Sequence, residues 1–130
     1  MNLLISDLEL TLADTDFEPE SLKLKDFKTE ALVLFYGNDY YSKHVFNIWG
    51  EFAEIVHENA IFCDVETCIL TKQYLTKIYG KERIPLILIY RNSIPIGIYN
   101  GVLDIDNLMH CMSKLICNPE NEECFSTINL

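Results

Sequence analysis

Apolar residues recur along this chain in two rhythms. Ala31-Leu32-Val33-Leu34-Phe35-Tyr36 is an unbroken apolar run broken off by Gly37-Asn38-Asp39, as a strand covered on both faces would be. Over 42–58 the rhythm changes. Val45, Ile48, Trp49, Phe52, Ile55 and Val56 fall at three- and four-residue steps, which predicts an amphipathic helix capped by Asp39 or Ser42. A second buried strand spans 60–65. A second helix over 67–79 is expected to turn Ile69, Leu70, Leu75 and Ile78 inward and to stop at Gly80. Two strands follow, 86–90 and 94–99, joined at Arg91-Asn92-Ser93, where Asn92 accepts positive φ. Pro95 lacks an N–H to donate and predicts that the returning strand lies at a sheet edge. A last helix opens at Asp104, carries Ile105, Leu108, Met109, Met112, Leu115 and Ile116 on one stripe, and ends at Asn118-Pro119. Shorter strand signals lie at 8–12 and 21–24.

That order fixes much of the topology. The first two strand-to-strand connections are long enough for parallel crossovers, whereas the last pair is a hairpin. The expected class is α/β, a mixed central sheet with a C-terminal antiparallel hairpin and helices on both faces. The expected division is an acidic N-terminal segment over 1–20, one domain over 21–117 and a loosely held acidic tail over 118–130. A chain of 130 residues can bury its own core, and 49% apolar content excludes disorder.

Charge narrows the partners. A net charge of −10 repels phosphate backbones and anionic lipid, so a protein partner is expected, with no nucleic acid and no membrane. Met1-Asn2-Leu3-Leu4-Ile5-Ser6-Asp7 has no basic n-region, and no apolar run approaches the roughly 20 residues of a membrane span. A cytoplasmic location follows as the expectation. Asp14-Thr15-Asp16-Phe17-Glu18-Pro19-Glu20 spaces four carboxylates two apart. A calcium loop also needs a glycine at its sharp turn, which is missing, so a solvated acidic loop is expected. His44, His57 and His110 are scattered and there is no Cys-x-x-Cys, so neither metal nor cofactor is expected.

The element order, with Ile84-Pro85 opening the hairpin, resembles the thioredoxin fold over roughly residues 21–116. Leu34-Phe35-Tyr36-Gly37 is similar to the strand ending in Phe-Trp-Ala or Phe-Tyr-Ala in thioredoxins and protein disulfide isomerases. Ile84-Pro85 matches the family's cis-proline site, Tyr90-Arg91-Asn92 the Phe-Lys-Asn before its hairpin turn, and Gly101 the glycine before its last helix. The redox centre is where the chain departs. Tyr40-Tyr41-Ser42-Lys43 stands where family enzymes carry Cys-x-x-Cys, and the chemistry requires a thiolate at the helix N-terminus. Asp39 replaces the usual tryptophan and Leu34 the buried acid. The resemblance thus implies a non-catalytic member, neither enzyme nor cofactor user. Thr67-Cys68-Ile69 is similar to phosducin-like domains. Gly37-Asn38-Asp39-Tyr40 resembles the splicing proteins of the Dim family. Leu22-Lys23-Leu24-Lys25-Asp26-Phe27 looks like thioredoxin-like proteins of large DNA viruses, which adds a virion component to the possible settings.

In the family the surface beside the cis-proline binds extended peptide. The resemblance therefore implies a protein-binding surface made by Tyr40, Tyr41, Ser42, Lys43, His44, Ile84 and Pro85, and a redox-inactive interaction or scaffold role. Two other readings stand beside it: a thiol-disulfide oxidoreductase using relocated cysteines, and a peptide-binding folding cofactor without chemistry. The five cysteines, Cys63, Cys68, Cys111, Cys117 and Cys124, are expected to be reduced by default in the absence of an export signal. Cys111 and Cys117 lie six apart on one helix and point in different directions. Cys117 and Cys124 close a short loop and form the candidate disulfide in an oxidising setting.

Overall fold

The computed structural model describes residues 10–27, 30–80, 83–117 and 125–127. Six strands form one sheet: β1 (Leu10–Thr11), β2 (Ala31–Tyr36), β3 (Ala60–Asp64), β4 (Leu86–Arg91), β5 (Ile94–Tyr99) and β6 (Phe125–Thr127), in the order β1-β3-β2-β4-β5-β6. The β1, β3 and β2 pairings are parallel, and those from β2 through β4 and β5 to β6 are antiparallel. Three helices cover it: α1 (Tyr40–Val56), α2 (Ile69–Tyr79) and α3 (Ile105–Cys117). Among the described residues no helix is long and apolar enough to cross a membrane.

Strand alternation sends successive side chains to opposite faces, so the central strands feed two cores. Leu32, Leu34, Phe62, Ile87 and Ile89 face Val45, Trp49 and Phe52 of α1 and Leu108, Met112 and Leu115 of α3. Val33, Phe35, Ile61, Leu88 and Tyr90 face the other way, towards Leu75 of α2 and towards Phe17, Leu22 and Leu24. Trp49 keeps its indole N–H satisfied by donating to the Ile61 carbonyl at 3.0 Å. The hairpin turn places both Asn92 and Ser93 at positive φ, 51° and 70°, the mirror-image turn that suits the right-handed twist of its strands. The Ile84–Pro85 peptide bond is cis.

The sheet is wider than the expected domain. The acidic segment over 1–20 supplies β1, within the strand signal at 8–12, and the buried Phe17, and the segment expected as a loose tail supplies β6. Phe17 pairs with Leu24 in a single bridge, Leu24 donates to the Ser93 carbonyl at 2.8 Å, and Tyr90 donates to the Leu22 carbonyl at 2.6 Å. Residues 12–27 therefore cover the second core, including the acidic stretch 14–20, expected as a solvated loop. The returning strand is likewise not the edge, because β6 pairs with it at Gly97, Ile98 and Tyr99. Pro95 is accommodated beside a register shift opposite Ile89 and Tyr90, outside the span that β6 needs.

The inward face of α2 also differs from expectation. Ile69, Leu70 and Ile78 are exposed at 59%, 67% and 43%, while Thr71 and Leu75 are buried. Asp14 accounts for this. It accepts hydrogen bonds from the Thr71 hydroxyl at 2.6 Å and amide at 2.9 Å, so a polar residue faces inward without an unsatisfied group. On the other helices Ile55 and Ile116 are exposed as well, at the margins of stripes that Val45, Trp49, Phe52 and Leu108, Met112, Leu115 fill.

Candidate peptide-binding groove and the cysteines

Parallel pairing of β2 and β3 brings their carboxyl ends together, and α1 begins directly beyond β2. Asp39 caps α1, accepting from the Ser42 amide at 3.1 Å. Ser42 hydrogen bonding holds the Asp39 carboxyl below its usual range, and burial opposes this only in part. The Ser42 hydroxyl also accepts from the Gly37 amide at 3.0 Å, which pins the loop between β2 and α1. Positive partial charge at this helix end, which would stabilise a thiolate, is thus met by the carboxylate of Asp39.

The residues proposed from sequence separate into three positions. Tyr40 and Tyr41 project from the first turn of α1, exposed at 90% and 53%, and Lys43 and His44 are exposed with them. Ser42 is fully buried and serves the loop, so it has no surface to offer a partner. Ile84 and Pro85 are half-buried, and Ile84 lines a groove of about 470 Å³.

That groove runs between the Gly37-Asn38-Asp39 loop, the turn carrying Val65 and Glu66, and Lys72, Gln73 and Thr76 of α2. Gly37 sits at its narrow end: a Cβ there would lie 3.3 Å from Asp39 Oδ1, a tight contact, and at ordinary contact distance from Glu66 Oε2, 3.6 Å, and Ile84 Cγ2, 3.8 Å. Glu66 and Lys72 form an exposed ion pair at 3.0 Å. Sequence reasoning missed Val65, Glu66, Lys72, Gln73 and Thr76. The signal was the parallel crossover itself, because ligands of such sheets bind beyond the carboxyl ends of the strands, where the turn after β3 must lie. The Val65 amide donates to the Tyr36 carbonyl at 3.0 Å and fixes that turn against β2.

The cysteines fall in two groups. Cys63 on β3 and Cys68 at the start of α2 are free and buried, 0% and 1% exposed, with their thiols hydrogen-bonded to one another. Cys68 also donates to the Leu12 carbonyl at 3.2 Å. The shared hydrogen bond, then burial, pushes the Cys63 thiol up; the same bond, helped by Thr67, pulls Cys68 down. Cys111, buried on the inner face of α3, is disulfide-bonded, which corrects the default expectation of reduced thiols. Its partner, and the candidate Cys117–Cys124 bridge, lie outside the described side chains. Among the described residues no three His, Cys, Asp or Glu side chains come together to hold a metal ion.

No family model matches the chain, and no curated protein matches it. Among solved structures it is similar to the crystal structure of the J-Trx1 fragment of ERdj5, with a TM-score of 0.62 and 16% sequence identity. The likeness covers 86% of this chain and 53% of that one, so the chain spans about half the length of that fragment. The fold is thioredoxin-like.

Proposed function

We propose that this chain is a redox-inactive protein-binding module, which holds an extended segment of a partner in the groove beside Ile84. The observation that carries this reading is the start of α1. Tyr40 and Lys43 stand at the positions that match the family's paired cysteines, Tyr40 and Tyr41 protrude from that turn, and Asp39, directly before Tyr40, lines the groove. Exposed aromatic rings supply contact area at low conformational cost, and Lys43, His44 and the Glu66–Lys72 pair supply a polar rim. The thiols that would serve an enzyme in another position, Cys63 and Cys68, are closed to a protein disulfide by burial. The stretch similar to viral proteins packs inward through Leu22 and Leu24, so it serves the scaffold and leaves recognition to the groove.

Two measurements on the full chain test this. Insulin reduction, followed by turbidity, is expected to stay at background. Alkylated insulin B chain, used as an extended apolar peptide, is expected to shift NMR resonances of Gly37, Asn38, Val65, Glu66 and Ile84. The Tyr40→Ala/Tyr41→Ala double variant is expected to weaken that binding. Insulin reduction that disappears in a Cys63→Ser or Cys68→Ser variant would overturn the reading. So would peptide shifts confined to another face.

A further inference from the structure

Cys63 and Cys68 come together from two elements. Cys63 is the fourth residue of β3, and Cys68 directly precedes the first turn of α2. The turn between them is tight, with the Cys68 amide donating to the Asp64 carbonyl at 2.9 Å. It returns the chain so that the two thiols meet inside the second core. We infer that Cys63 and Cys68 are a disulfide-forming pair, oxidised by a small hydroperoxide, and that closing the bond releases the N-terminal strand. This goes beyond the binding role and does not depend on it.

The chemistry balances with a hydroperoxide as the sole oxidant. The Cys68 thiolate attacks the distal peroxide oxygen; the O–O bond breaks, an S–O bond forms, and the alkoxide leaves with a proton as an alcohol, or as water from hydrogen peroxide. The Cys63 sulfur then attacks the sulfenic sulfur of Cys68, the S–S bond forms, and the S–O oxygen departs as water with the Cys63 proton. Two thiols lose two electrons and the peroxide gains them. Cys68 is the attacking partner because the Cys63 and Thr67 hydrogen bonds raise its acidity, the positive end of α2 itself being met by the Asp14 carboxylate. Asp14, Asp64 and Tyr90 face the pair, and the first two oppose ionisation.

Burial selects the oxidant. At 0% and 1% exposure the sulfurs admit no protein disulfide, whereas a peroxide reaches them through local opening of β1. Among the described residues that strand is Leu10–Thr11, paired with Ile61 and Phe62. The bond has a built-in consequence. Cys68 ties down the N-terminal segment by donating its S–H to the Leu12 carbonyl, and a disulfide sulfur has no hydrogen to donate. Oxidation therefore removes the side-chain anchor of Leu12, next to the backbone bond from its amide to the Phe62 carbonyl at 2.8 Å.

The test uses the full chain, treated with hydrogen peroxide and mapped by mass spectrometry after blocking free thiols. The expected result is an intramolecular Cys63–Cys68 link with both thiols lost to alkylation, and faster hydrogen exchange at the Leu12 amide. In Cys63→Ser, or in Cys63→Ala if the serine variant fails to fold, dimedone is expected to trap a sulfenic acid on Cys68. The inference is overturned if both thiols stay alkylatable while the same peroxide oxidises the urea-unfolded chain. It is equally overturned if Cys68 passes to sulfinic acid without a link, or if links form only between chains.

Discussion

Asp14 closes the start of a helix that begins 55 residues later in the chain: its Oδ1 accepts both the amide and the hydroxyl of Thr71, and its Oδ2 accepts the Leu70 amide at 3.1 Å. Cys68, at the cap position of that helix, makes no side-chain cap bond of its own. Asp14 thus does by tertiary contact what a capping residue does locally. Asp14→Ala is expected to lower stability by about 0.5–2 kcal/mol, the usual worth of a cap, read as a lower urea midpoint with the slope unchanged.

The same contact sets an acid dependence. Burial raises the Asp14 carboxyl, but hydrogen bonds from Thr71 and Leu70 outweigh it and hold the group below its ordinary value. A depressed folded value means that the contribution is present above the unfolded value of about 3.9 and is lost as pH falls through the folded one. The stability difference between the wild type and Asp14→Asn is therefore expected to shrink in acid, measured by urea unfolding at stepped pH.

Gly101 leaves room for Tyr99. A Cβ at Gly101 would lie 2.5 Å from the tyrosine oxygen and 2.7 Å from Cζ, and the hydroxyl donates to the Val102 carbonyl at 2.6 Å. Gly101→Ala is expected to cost about 1–3 kcal/mol as the ring is displaced. Burial, with Asp104 adding to it, pushes the Tyr99 phenol up to about 12. Since the folded value is raised, its contribution is complete below the unfolded value of about 10 and is lost as pH rises towards 12. Ultraviolet titration is expected to show late-ionising tyrosines, since burial raises Tyr79 and Tyr90 as well, and Gly101→Ala is expected to return one of them, Tyr99, towards the ordinary range.

Tyr90 anchors the N-terminal covering to the hairpin through the Leu22 carbonyl. Tyr90→Phe keeps the ring but strands that buried acceptor, at an expected cost of about 1–3 kcal/mol. Thermal unfolding of the pair checks it.

The two faces of α2 are expected to answer mutation oppositely. Leu75→Ala, fully buried, should cost about 2–5 kcal/mol, whereas Leu70→Lys, on the exposed side, should stay within about 0.5 kcal/mol. Denaturant unfolding of both variants separates the faces.

Legibility in the sequence followed how local each cause was. β2, β4 and the hairpin are legible because buried strands and an Asn-Ser turn declare themselves within a few residues, although Arg91, expected in the turn, belongs to β4. α1 and α3 were readable because Trp49, Phe52, Leu108 and Met112 repeat on one face. The inward face of α2 was not, because its deciding partner, Asp14, lies on another segment, and a Thr made acceptable by a distant carboxylate looks like a surface residue. The acidic stretch 14–20 looks solvent-facing because charge dominates its composition, yet Phe17 within it is core. Tyr40, Tyr41 and Ile84 could be named from the resemblance. The α2 wall of the groove, with Lys72, Gln73 and Thr76, required the packing of that helix against β3.

β6 has a further effect. It reaches along β5 only from Gly97 to Tyr99, so among the described residues the hairpin-proximal half of β5 keeps an open flank. Pro95 stands in that half and has no N–H to lend to an incoming strand. Among the described residues the opposite border is β1, Leu10–Thr11. The stretch of β5 around Pro95 is thus, among the described residues, poorly suited to template a neighbouring copy, because the proline has no hydrogen to offer it.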